Sequence, residues 1–169
     1  MAKFQLEMGG KNPLVVADDA DLQVAVECAV QGAFYSTGQR CTASSRLVVT
    51  AGIHDRFVAA LVERTRALVV GDARAAGTQV GPVVDQSQLE QDLRYLEIAR
   101  KEGARAGCGG EVLERGKPGF YLSPAVLLDA TNAMRSSREE IFGPVASVIR
   151  VKDYDEALAM ANDTEFGLS

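Results

Sequence analysis

Histidine and cysteine are scarce in this sequence. Its 169 residues include one histidine, His54, and three cysteines, Cys28, Cys41 and Cys108. The cysteines are odd in number and none stands in a Cys-x-x-Cys pair, so neither a disulfide framework nor a zinc site fits. A hydrolase that pairs cysteine or serine with histidine would have to use His54. This histidine lies in a polar run typical of a helix start, and we expect it to be an ordinary exposed residue.

Positive charge and long apolar runs are also missing. The net charge is −5 and the isoelectric point is near 5.0, so no basic surface is available for nucleic acid or anionic membranes. Apolar stretches such as Ala125–Leu128 fall far below the roughly 20 residues that span a bilayer, and Met1–Gly10 has no apolar core of a signal peptide. We therefore expect a cytoplasmic protein.

What is present is the composition and pattern of one folded domain. Hydrophobic residues make up 47% and charged residues 24% of the chain, as in ordinary globular proteins. Short β-branched runs alternate with segments of helical period, which predicts an α/β fold with an open, mainly parallel sheet and helices on both faces. The predicted strands are 13–17, 46–50, 104–108, 121–128 (interrupted at Pro124) and 145–151. The predicted helices are 21–34, 55–69, 86–102 and 153–162.

The segment around Cys41 lies between a predicted helix and a predicted strand. A glycine-containing loop there would place the thiol at an edge of the sheet, where open α/β folds locate their sites. The neighbouring Arg40 and the N–H groups of the loop could favour the reactive thiolate. Taken alone, the segment fits an inert loop cysteine better than a catalytic one.

Four ordered segments change this interpretation. Residues 7–13 read Glu-Met-Gly-Gly-Lys-Asn-Pro, 38–41 read Gly-Gln-Arg-Cys, 139–145 read Glu-Glu-Ile-Phe-Gly-Pro-Val, and 162–168 read Asn-Asp-Thr-Glu-Phe-Gly-Leu. Together they resemble the aldehyde dehydrogenase superfamily, which carries Glu-Leu-Gly-Gly-Lys-(Ser/Asn)-Pro, then Gly-Gln-x-Cys a helix and a loop later, and Glu-Glu-x-Phe-Gly-Pro. The resemblance covers essentially the whole chain. Methionine in place of the usual leucine at position 8 conserves volume and should cost little.

The resemblance implies a reaction that needs no histidine. Cys41 matches the nucleophile that adds to an aldehyde carbonyl, and its own backbone N–H helps to hold the oxyanion of the resulting thiohemiacetal. Hydride transfer to NAD or NADP leaves a thioester, and Glu7 matches the general base that activates water to hydrolyse it. Gly9 and Gly10 allow a tight turn that keeps the base close to the thiol.

Two further residues match the cofactor site of the family. Glu140 matches the acid that accepts hydrogen bonds from the ribose hydroxyls beside the nicotinamide, and Phe142 matches the ring that packs near that group. Without the Phe-Gly-Pro context, Glu139 and Glu140 would be interpreted as a solvated helix end. Cys28 and Cys108 match no catalytic position, and we interpret both as non-catalytic.

The family places most of its dinucleotide-binding domain before the Glu7 motif, and further catalytic-domain elements after Ser169. We therefore interpret residues 1–169 as a single cysteine-bearing catalytic domain, truncated at both ends and without the cofactor-binding domain. The full-length enzyme is expected to be a homo-oligomer. The chain alone is expected to have little turnover and to self-associate through uncovered apolar surface. The alternative is a catalytically silent folding or assembly fragment of such an enzyme.

The resemblance implies an aldehyde substrate. Residues 38–46 look most like the semialdehyde dehydrogenases of sugar-acid breakdown, such as the α-ketoglutaric semialdehyde (2,5-dioxopentanoate) group. No basic anchor for a carboxylate-bearing substrate can be placed in the sequence. A coenzyme A-acylating dehydrogenase fits less well, because that group generally lacks the water-activating glutamate that Glu7 resembles.

Overall fold

The computed structural model describes residues 1–168. This part of the chain forms seven strands and five helices, with a 3₁₀ turn at Tyr35–Gly38. The strands are β1 (Pro13–Val16), β2 (Arg46–Thr50), β3 (Arg105–Cys108), β4 (Val112–Leu113), β5 (Tyr121–Leu122), β6 (Ala125–Leu128) and β7 (Val145–Val151). The helices are α1 (Leu22–Phe34), α2 (His54–Arg66), α3 (Gln86–Lys101), α4 (Arg135–Arg138) and α5 (Tyr154–Asn162). Within the described range, no helix has both the length and the apolar character needed to cross a membrane.

Five of the strands form one open sheet in the order β1-β2-β7-β6-β3. The pairs β1–β2, β2–β7 and β6–β7 are parallel, and β3 joins the edge antiparallel to β6. β4 and β5 form a separate two-stranded ribbon. The prediction of an open, mainly parallel sheet is confirmed.

Helices cover both faces of this sheet, as the sequence predicts. On one face, Phe34 of α1 and Phe57 and Leu61 of α2 are completely buried against alternate residues of β2, β7 and β6. On the other face, Tyr95 and Ala99 of α3 pack in a second cluster with Ala157 of α5. Each helix thus adds an apolar stripe to a sheet that is covered on both sides.

Three aspartates fix where α1, α3 and α5 begin. The side chains of Asp21, Asp85 and Asp153 accept hydrogen bonds from backbone N–H groups in the first turns of α1, α3 and α5. These N–H groups have no partner within the helix, so a side-chain oxygen there stabilises the first turn. The predicted starts at Asp21 and Asp153 are therefore caps, one residue before the helix.

Several sequence expectations need correction. His54 is the first residue of α2, and its side chain is only 17% exposed beside Asp55, so the expected exposed histidine is wrong. α2 ends at Arg66 instead of 69, because Leu68 and Val70 leave the helix and are buried. The 3₁₀ turn, the ribbon and the short helix α4 were not predicted.

Candidate active site

Three of the four motifs immediately precede adjacent parallel strands. The glycine pair of the first motif leads into β1, the Cys41 segment leads into β2, and the Phe-Gly-Pro segment leads into β7. Because β1, β2 and β7 are neighbours and run in the same direction, their beginnings meet at one edge of the sheet. The expected edge position is confirmed, but it is the amino edge, opposite the carboxyl edge where open α/β sheets usually bind ligands.

The backbone before Cys41 is held in an uncommon conformation. Ser36, Thr37 and Gly38 have φ values of 56°, 60° and 65°. Non-glycine residues rarely adopt such angles, and they persist where surrounding contacts enforce them. Gly38 lies against the carbonyl group of Gly143, where any side chain would collide. The loop that carries the cysteine is therefore locked against the loop that carries Phe142.

Cys41 occupies the middle of a tight turn and is partly exposed. The turn is closed by a 3.0 Å hydrogen bond from the N–H of Ala43 to the carbonyl oxygen of Arg40. The guanidinium group of Arg40 donates to the carbonyl oxygens of Gln31 and Gly32, at 3.0 and 2.8 Å. Arg40 thus ties the cysteine turn to the last turn of α1.

The first motif packs directly on the cysteine. A side chain on Gly10 would collide with the carbonyl oxygen of Cys41. Two residues later, the side-chain amide of Asn12 donates a 2.7 Å hydrogen bond to the same oxygen. Glycine is required at position 10 because its backbone packs directly against the backbone of Cys41, which leaves no space for a side chain.

Glu140 binds the other side of the glycine pair. Its Oε1 accepts a 2.9 Å hydrogen bond from the N–H of Gly10. A Cβ on Gly9 would lie 2.7 Å from Oε2 of Glu140 and 3.1 Å from the ring of Phe166, which belongs to the fourth motif. All four motifs therefore meet around Gly9 and Gly10, as their resemblance to one family leads us to expect.

The two adjacent glutamates have different surroundings. Glu139 accepts hydrogen bonds from Arg135 at 2.7 and 2.9 Å and from the hydroxyl of Tyr95 at 2.6 Å. The bond to Arg135 is the main reason that the pKa of Glu139 falls to about 2. Glu139 is thus an anchor between α3 and α4. Glu140 uses only Oε1 for a hydrogen bond within the described part of the chain, so Oε2 has room for another donor.

Phe142 projects from a loop that α3 holds in place. Its φ of 61° is unusual for an aromatic residue, and the side chain is 39% exposed. The preceding carbonyl oxygen, of Ile141, accepts hydrogen bonds from the side-chain amides of Gln88 and Gln91 at 3.0 and 2.8 Å. These two contacts fix the backbone just before the phenylalanine.

Glu7 lies on the exposed segment that precedes these contacts. The structure gives its carboxylate one hydrogen bond, from the side-chain amide of Gln5 at 3.3 Å. Consecutive Cα atoms are about 3.8 Å apart, so the backbone of Glu7 is within about 11 Å of Gly10 and its contact with Cys41. A cleft of about 390 Å³ is lined by the adjoining Met8 and Gly9 and by residues 165–168 of the last motif.

A buried arginine that the sequence interpretation overlooked connects the first motif to the end of α5, just before the last motif. Arg46 is completely buried and donates to the carbonyl oxygen of Lys11 at 2.9 Å and to Oδ1 of Asn132 at 2.9 Å. It also donates to the carbonyl oxygens of Met160 and Ala161, both at 3.0 Å, at the end of α5. The sequence did contain a signal for this role, because Arg46 is a charged residue at the start of a strand that is otherwise largely apolar.

Lys11 is a second buried cation beside the motifs. Its side chain is 1% exposed, and its Nζ has no hydrogen-bond partner in the described part of the chain. Burial, followed by the charge of Arg46, lowers the pKa of Lys11 to about 7, although Glu140 and Glu139 oppose this shift. The lysine of the Gly-Gly-Lys motif therefore releases its proton far more readily than a solvent-exposed lysine.

The family assignment follows from this geometry and from comparison with known proteins. The model of the aldehyde dehydrogenase family matches residues 1–169. The chain belongs to this family.

The curated relatives are bacterial aldehyde dehydrogenases. The chain is 49% identical over 170 residues to an alpha-ketoglutaric semialdehyde dehydrogenase of Bacillus subtilis, covering 99% of this chain and 35% of that protein. It is 48% identical over 171 residues to a betaine aldehyde dehydrogenase of Mesorhizobium japonicum, covering 100% of this chain and 35% of that protein. The chain thus spans about a third of the length of these relatives.

Solved structures show the same fold. A betaine aldehyde dehydrogenase from Staphylococcus aureus, in complex with NAD⁺, has a TM-score of 0.91 at 37% identity, covering 94% of this chain and 32% of that one. The NAD⁺ complex of an aldehyde dehydrogenase from Bacillus cereus has a TM-score of 0.89 at 37% identity, with the same two coverages. The mixed α/β fold is therefore that of an aldehyde dehydrogenase catalytic domain.

Proposed function

We propose that this chain is the catalytic part of an NAD(P)-dependent aldehyde dehydrogenase, with Cys41 as nucleophile and Glu7 as general base. The observation that carries the proposal is the position of Gly10. Its N–H binds Glu140 on one side, and its Cα lies against the carbonyl of Cys41 on the other. One short turn thereby joins the candidate base segment, the candidate nucleophile and the candidate cofactor ligand.

Cys41 would begin the reaction. The thiolate sulfur attacks the aldehyde carbon, and the C=O electron pair moves to oxygen, giving a thiohemiacetal bonded to Sγ. The Asn12 bond to the Cys41 carbonyl and the Ala43 bond to Arg40 fix the turn, so the backbone N–H of Cys41 is preorganised to stabilise that oxyanion.

The residues present fit the nicotinamide end of the cofactor. Oε2 of Glu140 can accept from a ribose hydroxyl, and the exposed ring of Phe142 offers an apolar surface beside it. When bound, NAD⁺ or NADP⁺ supplies the hydride acceptor that turns the thiohemiacetal into a thioester.

Glu7 would complete the cycle. Its carboxylate removes a proton from water, the hydroxide oxygen bonds to the thioester carbon, and the C–S bond breaks to release the carboxylic acid and the Cys41 thiolate. The exposure of Glu7 and the adjoining cleft give water a route to this position.

We further propose that residues 1–169 form one catalytic domain that depends on a cofactor-binding portion of a longer polypeptide. The chain alone is then expected to produce no steady NADH or NADPH. The alternative is a catalytically silent folding or assembly fragment. A homo-oligomeric enzyme and a cytoplasmic location are predictions from the family resemblance and the composition.

The experiment is a chimera in which this chain replaces the matching third of the B. subtilis relative. We expect it to bind NAD⁺ and to oxidise α-ketoglutaric semialdehyde more efficiently than betaine aldehyde, by kcat/KM. C41S should abolish NADH formation, and E7Q should give a burst of about one NADH per site followed by slow turnover. C28S, which alters a cysteine on α1, is the matched control and should change neither.

Each assignment can fail separately. An active C41S chimera would remove the nucleophile assignment, and full turnover in E7Q would remove the base. A chimera that folds and binds NAD⁺ but never forms NADH would favour the silent fragment. A preference for betaine aldehyde would overturn the semialdehyde assignment.

A further inference from the structure

Asp92 is a buried carboxyl group in a part of the molecule that the proposed reaction does not use. It lies on α3 and has no exposed surface. Its Oδ1 accepts a 2.8 Å hydrogen bond from the side-chain amide of Gln88, and its Oδ2 has no partner in the described residues. A buried ionised carboxylate with one hydrogen bond is unfavourable, so this group needs an explanation.

The carboxyl group of Asp92 rests on the backbone of Gly143. A Cβ at position 143 would overlap the Asp92 carboxyl, with all three of its atoms among the nearest neighbours. The φ of Gly143 is not in the left-handed region, so its backbone does not demand glycine. The glycine of the Phe-Gly-Pro segment therefore makes room for Asp92.

The same side chain is linked to the loop through Gln88. The amide nitrogen of Gln88 donates both to Asp92 and to the carbonyl oxygen of Ile141. Asp92, Gln88 and Gln91 thus form a polar patch on α3. This patch contacts the backbone on either side of Phe142, at Ile141 and Gly143. Glu140, which binds Gly10, is the residue immediately before Ile141.

The surroundings of Asp92 favour its neutral form. Burial raises the pKa of Asp92 to about 7, and the Gln88 bond opposes the shift. Three charged groups on the packed elements already have partners: Arg135 binds Glu139, Arg138 binds Asp163, and Glu140 binds the N–H of Gly10. The buried Lys11 has no partner for its Nζ, but neither it nor any other charged group contributes to the pKa shift of Asp92. On α3 itself, the hydroxyl of Tyr95 donates to Glu139. Among the residues that the structure describes, no cation is therefore placed to stabilise an ionised Asp92.

We propose that Asp92 is a positioning residue that, in its protonated form, holds the loop Ile141–Gly143 against α3 and so sets the placement of Glu140 and Phe142. Loss of the proton puts an unpaired charge under Gly143, and the loop loosens to let water reach it. The consequence for cofactor binding rests on the proposed function, whereas the behaviour of the loop does not.

The test compares D92N, D92A and wild type. The amide introduced by D92N keeps the shape of the carboxyl group and stays neutral, whereas D92A takes the contact away. E90Q, an exposed change on the same helix, is the matched control. The hydrogen-exchange protection factor of the Val145 N–H, which donates to the carbonyl oxygen of Gly143 at 2.8 Å, is corrected for intrinsic exchange. It is measured from about pH 5.5 to about 8.5, a range that brackets the raised pKa. The Asp92 carboxyl is titrated by carbon-13 NMR.

Wild type and E90Q should lose about tenfold in protection as pH rises through 7, the effect of a one-unit pKa difference between the held and released loop. D92N should stay protected throughout, and D92A should be weakly protected at every pH. An Asp92 carboxyl that titrates below about pH 5, near its ordinary range, would overturn the proposal, as would equal pH profiles for wild type and D92N.

A second measurement separates this inference from the proposed function. In the chimera, KM for NAD⁺ should rise above about pH 7 in wild type and stay flat in D92N, with kcat less affected. If loop protection follows the prediction while KM does not, Asp92 positions the loop but the loop does not serve the cofactor. If protection does not follow it, the positioning role fails whatever the chimera does.

Discussion

The side-chain amide of Asn12 donates a 2.7 Å hydrogen bond to the backbone carbonyl of Cys41. Asn12 is itself buried and is the last residue before β1, while Cys41 lies in the turn that leads into β2. The carbonyl of Asn12 in turn accepts from the N–H of Arg46, the first residue of β2. Asn12 therefore links the start of β1 to both ends of the segment between Cys41 and β2. Its side chain binds Cys41, and its carbonyl group binds Arg46.

Replacing Asn12 by alanine should loosen the cysteine turn. The Cys41 carbonyl would lose its donor, and loss of such a bond costs about 1–2 kcal/mol of unfolding free energy. Urea unfolding of N12A measures that cost. The rate at which iodoacetamide labels Cys41 reports how firmly the turn is held. The rate for the exposed Cys28 should be unchanged. An unaltered Cys41 rate in N12A would mean that the bond does not control the turn.

Adding one methyl group to Gly10 should lower the free energy of unfolding far more than the small size of a methyl group suggests. In G10A the new carbon meets the Cys41 carbonyl, backbone against backbone, and neither group can rotate away. We expect a loss of about 2–3 kcal/mol. G116A is the matched control, because a Cβ at Gly116 meets nothing within 4 Å. Equal unfolding midpoints in urea for the two variants would contradict the packing described here.

Arg46 should be one of the most sensitive positions in the chain. R46M removes four donated hydrogen bonds and leaves the carbonyl groups of Lys11, Met160 and Ala161 without this donor. Each buried acceptor that loses its donor costs about 1–3 kcal/mol, so we expect R46M to cost about 3–5 kcal/mol in all. R105M removes an arginine that is 65% exposed in its pair with Asp129, and should cost under about 1 kcal/mol. Thermal unfolding of both variants tests the contrast, which a similar Tm would refute.

Lys11 should make stability depend on pH above neutrality. Its pKa is about 7 in the folded chain and 10.5 as the reference for the unfolded one. Between these values the unfolded state holds a proton that the folded state has released, so the free energy of unfolding rises with pH.

The variant K11M should remove this rise. Urea unfolding at several pH values between about 7 and about 10 gives the slope of the unfolding free energy against pH. Subtracting the K11M values from the wild-type values cancels the contributions of the titratable groups that both proteins share. K101M, which changes an exposed lysine paired with Glu97, should keep the wild-type slope. If K11M and wild type differ by a constant amount across the range, the depressed pKa of Lys11 is wrong.

The sequence predicts the strands of this fold better than the local details of its site. Arg46–Thr50 and Val145–Val151 have the predicted bounds, because central parallel strands are continuous apolar, β-branched runs. The motifs identify Cys41, Glu7, Glu140 and Phe142 as candidates, and the structure brings their segments together. Their chemical roles stay predictions.

What escaped prediction depends on contacts between distant segments. Ser36 and Thr37 adopt positive φ just before Gly38, which lies against the Gly143 carbonyl, and neither residue type signals this conformation. Arg46 and Asp92 are charged residue types that are rarely fully buried, so a pattern of apolar residues assigns them to the surface. Their roles emerge only once the hydrogen bonds are known.

The pairing of β2 with β7 has a consequence for how the protein is made. Cys41 leaves the ribosome well before the strand that pairs with β2, because that strand begins only at Val145. Central pairing of such large sequence separation forms late and slowly. A newly synthesised chain therefore carries an unprotected Cys41 thiol for some time before the Phe142 loop packs against the cysteine loop, and oxidants or chaperones can reach the thiol during that time.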